Sequence, residues 1–288
     1  MRLDQMIAGM SRALAQEGIE TARLDARLLA CHGLGLSETD IILQFDRALQ
    51  SDEIRLLDGL VERRLTREPI AHILGYREFW GLPFKVTADT LVPRPDSETL
   101  VAAVLDAVKS KQAPLSIVDI GTGTGCLLLS LLSELPNAFG VGSDISSAAL
   151  SVARQNALDL GFSERCAFLR ASYAEAFAGG MDILISNPPY LAADEMGDIE
   201  KDVADYDPTS ALVSGETGLE AYEALFSAIA AWEVKPSIMA FEFGYRQADA
   251  VCAVACKSGL TSAIGEDGHI LKDLGGQNRI LLLQSRQN

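Results

Sequence analysis

The chain has 288 residues, 48% of them hydrophobic and 22% charged, with a formal net charge of −16 and a pI near 4.6. Such a composition supports a globular protein with a sizeable core, and the negative charge opposes tight non-specific binding to phosphate backbones. It leaves room for a basic protein partner, and for a small basic patch expected from Arg63, Arg64 and Arg67.

No apolar stretch reaches membrane-spanning length. The first residues, Met1-Arg2-Leu3-Asp4-Gln5, carry an early acid and no signal-peptide core, so a soluble, cytoplasmic protein is expected. The five cysteines, Cys31, Cys126, Cys166, Cys252 and Cys256, form no CxxC. The three histidines, His32, His72 and His269, stand apart. Buried reduced thiols and no metal site are expected.

The first 75 residues read as a small helical bundle. Leu3, Met6, Ile7, Met10 and Leu14 recur at helical spacing, and Gly18 follows them. A second helix is expected over 21–32. A third carries Ile54, Leu57, Leu60, Val61 and Leu65, with Ser51 as N-cap and Pro69 after its end. The patch Glu78–Val86 reads as two short strands with a turn at Gly81-Leu82-Pro83, in a linker spanning 76–95 that bridges two domains. Residues 96–288 then alternate strand and helix, the pattern of a doubly wound, mostly parallel α/β sheet. Seven strands are expected at 116–120, 139–144, 166–170, 182–186, 238–243, 260–264 and 280–284. The acid-rich stretch 191–217 is the long irregular exception, of the kind that serves as a lid or partner-binding element.

Two loops carry the chemistry. The strand Ile117-Val118-Asp119-Ile120 runs into Gly121-Thr122-Gly123-Thr124-Gly125-Cys126 and then a helix. Glycines there let backbone approach a ligand at a strand's carboxyl end. The spacing is G-x-G-x-G, not G-x-G-x-x-G, and no Lys-Ser/Thr follows, which excludes a phosphate-cradling P-loop. Asp144 ends the next strand and can accept hydrogen bonds from both hydroxyls of a ribose. A glycine loop with a ribose-binding acid and no phosphate machinery suits a nucleoside such as S-adenosylmethionine. Asp119 has two readings: a brace for the loop, or a contact to the methionine amino group.

The second loop, Asn187-Pro188-Pro189-Tyr190, leaves an apolar strand. Consecutive prolines fix the backbone and remove two N–H donors, leaving carbonyls as oriented acceptors. The Asn187 side-chain oxygen and the Pro188 carbonyl can together accept both hydrogens of an NH₂ group, and Tyr190 offers an aromatic face for a planar group. That arrangement orients a weakly nucleophilic nitrogen toward a methyl that is already activated, with no base required.

These residues match the amino-methyltransferases with an Asn/Asp-Pro-Pro-Tyr/Phe signature. Within that group the whole chain resembles the release factor glutamine methyltransferase family. The resemblance covers the N-terminal helices, Gly75–Leu82 with its Glu78-Phe79-Trp80-Gly81, Val92-Pro93-Arg94-Pro95-Asp96, both loops, and Lys272-Asp273-Leu274. It implies a class I S-adenosylmethionine-dependent methyltransferase fold. It implies N5-methylation of the glutamine in the Gly-Gly-Gln motif of peptide-chain release factors, with the helical 1–75 domain docking the factor. Neither nucleic acid nor membrane is an expected direct partner.

By the same resemblance, Gly121, Thr122, Gly123, Thr124, Gly125, Asp144, Tyr173 and Asn187 contact the cofactor. Asn187, Pro188, Pro189 and Tyr190 hold the glutamine, with Asn187, Pro188 and Tyr190 catalytic. Two departures stand out. Ala171-Ser172-Tyr173 occupies the place of the family's cofactor-stacking tryptophan, and Lys235-Pro236-Ser237 shortens a Lys-Pro-Gly-Gly turn. The chain's own Gly275-Gly276-Gln277 matches the acceptor motif but reads as a hairpin turn. An adenine-N6 methyltransferase is the enzymatic alternative, because adenine presents the same two hydrogens; the acidic charge weighs against it. A catalytically silent cofactor-binding or ribosome-associated adaptor is a third reading, opposed by the intact Asn-Pro-Pro-Tyr loop.

Overall fold

A computed structural model describes residues 1–261 and 268–285. The chain divides into two compact units. One is Met1–Tyr76 with Glu200–Tyr206; the other runs over Arg77–Ile199 and continues from Asp207.

The first unit is helical: α1 (Leu3–Gln16), α2 (Ala22–Leu34), α3 (Glu38–Leu43), α4 (Ser51–Leu65) and α5 (Ile70–Leu74). Apolar residues at steps of three and four put Leu3, Met6, Met10 and Leu14 on the buried face of α1. They pack with Leu29 of α2 and with Leu57 and Val61 of α4. Gly35 closes α2 in the left-handed conformation that a side chain disfavours. Gln50, not Ser51, is the N-cap of α4; its backbone N–H donates to the Glu53 side chain, and Ser51 is the first helical residue.

The expected basic patch does not form. Arg64 is buried, with Nε on Asp25 Oδ2 at 2.7 Å and Nη1 on Asp202 Oδ2 at 2.7 Å. Arg63 pairs with Glu68, and Arg67 bonds the Glu17 carbonyl. The partners of Arg64 lie far away in sequence, so a run of basic residues read alone gave no hint of them.

A hairpin follows, β1 (Tyr76–Phe79) and β2 (Leu82–Lys85), all but its first residue in the second unit. Its turn is Trp80-Gly81, one step before the expected one, so Leu82 and Pro83 belong to β2. The elements that follow are α6 (Glu98–Ala107), β3 (Ser116–Ile120), α7 (Cys126–Glu134), β4 (Phe139–Asp144), α8 (Ser147–Asp159), β5 (Cys166–Arg170) and β6 (Ile183–Ser186). After these come α9 (Lys201–Ala204, within the first unit), α10 (Thr209–Leu212), α11 (Glu220–Ala231), β7 (Ile238–Glu242), α12 (Ala248–Lys257), β8 (His269–Lys272) and β9 (Asn278–Gln284). The 191–217 stretch is therefore not wholly irregular: it holds a 3-10 turn at Ala193–Gly197 together with α9 and α10.

The seven-stranded sheet has the order β5-β4-β3-β6-β7-β9-β8, parallel from β5 to β7, with β9 antiparallel to both neighbours. Alternation along the strands feeds two cores. Ile117, Ile183 and Ile185 face α6 and α7, where the hairpin adds Phe79 and Phe84. Val118, Ile120 and Leu184 face α11 and α12. The expected strand at 260–264 is corrected. Leu260 and Thr261 are helical, and 262–264 lie outside the described residues; the penultimate strand is instead His269–Lys272. The Gly275-Gly276-Gln277 segment is the turn between β8 and β9, closed by Gly276 N–H on the Asp273 carbonyl and Gln277 N–H on Asp273 Oδ1.

The buried pair in the first unit gives a direct stability test. Asp25→Ala leaves the Arg64 guanidinium buried with one partner fewer, and should cost about 3 kcal/mol in the α1–α4 unit. Amide exchange of those helices reads it, and a cost under about 1 kcal/mol, typical of an exposed pair, would count against it.

Candidate active site

Chain order reverses at β3, which lies between β4 and β6. In parallel α/β sheets the crevice beyond the carboxyl ends of strands at such a point is where ligands sit. A cavity of about 520 Å³ lies there. Its walls include Gly121 to Thr124, Asp144 with Ile145 and Ser146, Ala171–Tyr173, Ser186–Pro189, part of the 88–97 segment, and Pro208, Ser210, Ala211 and Val213.

The glycine loop is held by backbone bonds that only a tight turn allows. Gly121 and Thr122 N–H groups both donate to the Ser143 carbonyl, at 2.8 and 2.9 Å, and Gly125 N–H donates to Thr122 at 2.7 Å. Gly121, Gly123 and Gly125 all have positive φ, a conformation that other residues resist. Gly123 N–H donates to Asp144 Oδ2 at 3.0 Å, and Ser146 N–H donates to Asp144 Oδ1 at 2.9 Å. Both carboxylate oxygens are thus oriented by backbone while Asp144 faces the cavity. Asn156 braces the loop from behind, donating to the Thr124 carbonyl at 2.9 Å and bonding the backbone of Lys85 through both ends of its amide.

Asp119 is fully buried and accepts from Thr122 Oγ1 at 2.6 Å. It does not line the cavity. Of its two readings, the geometry is that of the brace. Burial pushes its carboxyl up to about 7, with the Asp144 charge adding to the rise.

β6 delivers Asn187-Pro188-Pro189-Tyr190 beside that loop, because Ile120 pairs with Ser186. Ser186 Oγ donates to the Ile120 carbonyl at 2.6 Å, stitching the two strand ends together. Asn187 Nδ2 donates to Ser97 Oγ at 3.4 Å. Tyr190 and Leu191 N–H groups donate to the Leu212 carbonyl at 3.1 and 2.9 Å, and Gln247 donates to the Tyr190 carbonyl at 2.7 Å.

The cavity thus brings together Gly121 to Thr124, Asp144, Tyr173, Asn187, Pro188 and Pro189. Gly125 stands outside the lining, turned into the start of α7 against Leu129 and Ala153. Tyr190 is outside it as well: the ring packs against the core beneath α11 and α12, and burial pushes its hydroxyl up to about 12. Tyr173 is 36% exposed and has φ of +44°, a strained value for an aromatic residue.

Ser97 and Arg94 are among the cavity residues to which the sequence pattern assigns no role. Ser97 lines the wall at the start of α6. Arg94, quoted within Pro-Arg-Pro only as a marker, lines the same side and holds the buried Asp207 at 2.7 Å. The paired prolines around Arg94 are the signal that a rigid wall was present.

Two family descriptions match the chain: the PrmC N-terminal domain over residues 5–75, and the methyltransferase small domain over residues 96–204. The chain is 42% identical to the release factor glutamine methyltransferase of Rhodospirillum rubrum, over 93% of this chain and 81% of that protein. It is 36% identical to the protein of the same name from Agrobacterium fabrum, over 96% and 95%.

The chain belongs to the release factor glutamine methyltransferase family.

It is a methyltransferase, with the fold of others. The catalytic domain of hMettl16, solved in complex with MAT2A 3′UTR hairpin 6, shares 13% identity and a TM-score of 0.60 over 80% of this chain and 83% of that one. The human methyltransferase 10 domain containing protein shares 14% identity and a TM-score of 0.51 over 73% and 92%. At such identities the likeness concerns the fold alone. Among the described residues of this methyltransferase, no helix is long and apolar enough to cross a membrane, and no group of three or more His, Cys, Asp or Glu could hold a metal ion.

The raised Asp119 carboxyl has a thermodynamic consequence. Its pKa rises from 3.8 to about 7 on folding, so between those values the folded protein holds a proton that the unfolded chain has lost. That group's contribution to stability therefore falls as pH rises through the window. Asp119→Asn, which cannot ionise, should flatten the decline in denaturant stability across it. An unchanged slope in the variant would show that Asp119 does not titrate there.

Proposed function

We propose that this methyltransferase uses S-adenosylmethionine to methylate the side-chain nitrogen of the glutamine in the Gly-Gly-Gln motif of a peptide-chain release factor. The observation that carries the reading is the shared cavity: a glycine loop with an oriented carboxylate on one side, and a rigid acceptor loop on the other.

The cavity residues fit the cofactor. Asp144 keeps lone pairs on both oxygens free for ribose hydroxyls, because each accepts only one backbone N–H. Gly121 and Gly123 admit close backbone approach, and Tyr173 supplies a flat side chain at the rim where the family carries tryptophan. The loop has no lysine to grip a phosphate, as suits a nucleoside without one. Bound there, S-adenosylmethionine supplies a methyl already activated by the sulfonium.

The protein's own task is then to position the acceptor. Asn187 Oδ1 and the Pro188 carbonyl accept the two hydrogens of the glutamine NH₂, which fixes the plane of that group and so aims the nitrogen lone pair, perpendicular to it, at the methyl donor. As the new N–C bond forms and the methyl–sulfur bond breaks, with the neutral thioether leaving, positive charge grows on that nitrogen; the same acceptors would stabilise it more in the transition state than in the ground state, and the surplus proton would pass along one of these hydrogen bonds to water. Pro188 and Pro189 keep the acceptors in place at no cost in reorganisation. Tyr190 anchors the loop from its seat in the core. The helical unit spanning residues 1–75 would dock the release factor, the substrate that the relatives' names carry.

Labelled methyl transfer tests this, with full-length release factor, DNA and RNA offered in parallel. Transfer to the release factor alone is expected, and transfer to nucleic acid alone would overturn the reading. Asn187→Ala should abolish transfer without loss of fold, and Asp144→Ala should raise the cofactor Kd about tenfold or more, the worth of a charge-assisted hydrogen bond. Wild-type turnover in the first variant, or an unchanged Kd in the second, would remove the role assigned to that residue.

A further inference from the structure

Glu242 is the last residue of β7, is 2% exposed, and has no part in the chemistry described so far. In the pairing of β6 with β7, Ser186 stands opposite Phe241. The next step along each strand puts Asn187 and Glu242 side by side at the carboxyl end of the sheet, pointing to the same face. Ser97 completes the group. Asn187 Nδ2 donates to Ser97 Oγ at 3.4 Å, and the Ser97 and Asn187 side chains lie close enough to the Glu242 carboxyl to favour its charged form. Glu242 Oε2 is left with no partner within hydrogen-bond distance. Ser97 and Asn187 line the cavity, and Glu242 stands behind them. The Tyr222 hydroxyl donates to the Glu242 carbonyl at 2.7 Å and pins the residue to the core.

An asparagine amide is nearly symmetric in shape but opposite in character at its two ends: nitrogen donates and oxygen accepts. What stands behind it decides which end faces forward. A carboxylate accepts only, so the Ser97 hydroxyl can donate to Glu242 and still accept from Asn187 Nδ2. With the nitrogen drawn inward, Asn187 Oδ1 faces the cavity. A flipped amide would offer a donor to the NH₂ of an acceptor molecule, two donors face to face.

We propose that Glu242 is a positioning residue for methyl transfer: through Ser97 it holds the Asn187 side chain with its oxygen, not its nitrogen, toward the acceptor amine. The inference rests on the reading of Asn187 as part of the clamp for that amine. A purely structural account would make Glu242 the ion partner of Arg279. The Arg279 guanidinium is already engaged, however, with Asp273 at 3.0 Å and Asp96 at 3.2 Å, and acts on Glu242 through charge alone. Burial pushes the Glu242 carboxyl up to about 7, opposed by the bonds from Ser97 and Asn187 and by the Arg279 charge. A costly buried acid is thus kept one residue layer behind the reacting centre.

The test compares Glu242→Leu, which removes the acceptor at similar bulk, with Glu242→Gln, which keeps an acceptor oxygen. Both are assayed in the full chain with S-adenosylmethionine and full-length release factor, alongside cofactor Kd by calorimetry. Glu242→Leu should lower kcat about tenfold to a hundredfold, the scale of losing one oriented donor or acceptor, with cofactor Kd and release-factor KM unchanged. Glu242→Gln should recover most of that loss. A wild-type kcat in Glu242→Leu, a loss shared by Kd and KM, or a Glu242→Gln variant as impaired as the leucine variant would each overturn the proposal. If Glu242→Leu does not fold, Ser97→Ala carries the test with the same expected kcat loss, and an unchanged kcat refutes it. If the wild type transfers nothing to release factor, the substrate assignment fails independently. The orientation of Asn187 is then read from its side-chain amide protons, whose protection from exchange should be lost in Ser97→Ala; retained protection would overturn the proposal.

Discussion

The parallel pairing of β3 with β6 is the constraint on which the site depends. It joins the ends of two strands that leave in different loops, and the Ser186 hydroxyl locks them together through the Ile120 carbonyl. One loop must be soft in its sterics, so it is built of glycine. The other must be stiff, so it is built of proline. A shift of one residue in this register would turn every side chain of β6 to the opposite face and carry Asn187 away from the glycine loop.

Beneath both loops the protein keeps a buried carboxylic acid. Asp119 sits under the glycine loop and accepts from Thr122; Glu242 sits under the proline loop, behind Ser97 and Asn187. Burial raises both to about 7, so each weakens the fold as pH rises toward neutrality. Apolar residues at these positions would be cheaper. They would not orient a hydroxyl or an amide, and orientation is what positioning catalysis requires.

The two loops were legible in the sequence because their chemistry is local. Glycine spacing after an apolar strand, and two prolines between Asn187 and Tyr190, need no knowledge of the rest of the fold. The same holds for the parallel strands, whose apolar runs are bounded by turns. What was not legible depends on distant partners. Arg64 looks like surface charge until Asp25 and Asp202 are found beside it. Ser97 looks like an ordinary helix start, and Glu242 looks like the polar end of a strand. The strand His269–Lys272 carries little signal because it is four residues long with two half-buried positions, whereas Leu260–Ile264 is a more apolar run. Tyr190 belongs to the motif by spacing, but its ring is claimed by the core, which spacing does not reveal.

The central claim is that Asn187 and Pro188 hold an NH₂ group by both its hydrogens, next to a cofactor gripped by the glycine loop. A crystal structure of the enzyme with S-adenosylhomocysteine and a release-factor fragment carrying Gly-Gly-Gln tests it directly. The glutamine nitrogen should lie within hydrogen-bond distance of both Asn187 Oδ1 and the Pro188 carbonyl oxygen, on the line from the cofactor's sulfur. A glutamine bound with its carbonyl oxygen toward Asn187, or outside the cavity between the two loops, would contradict the account.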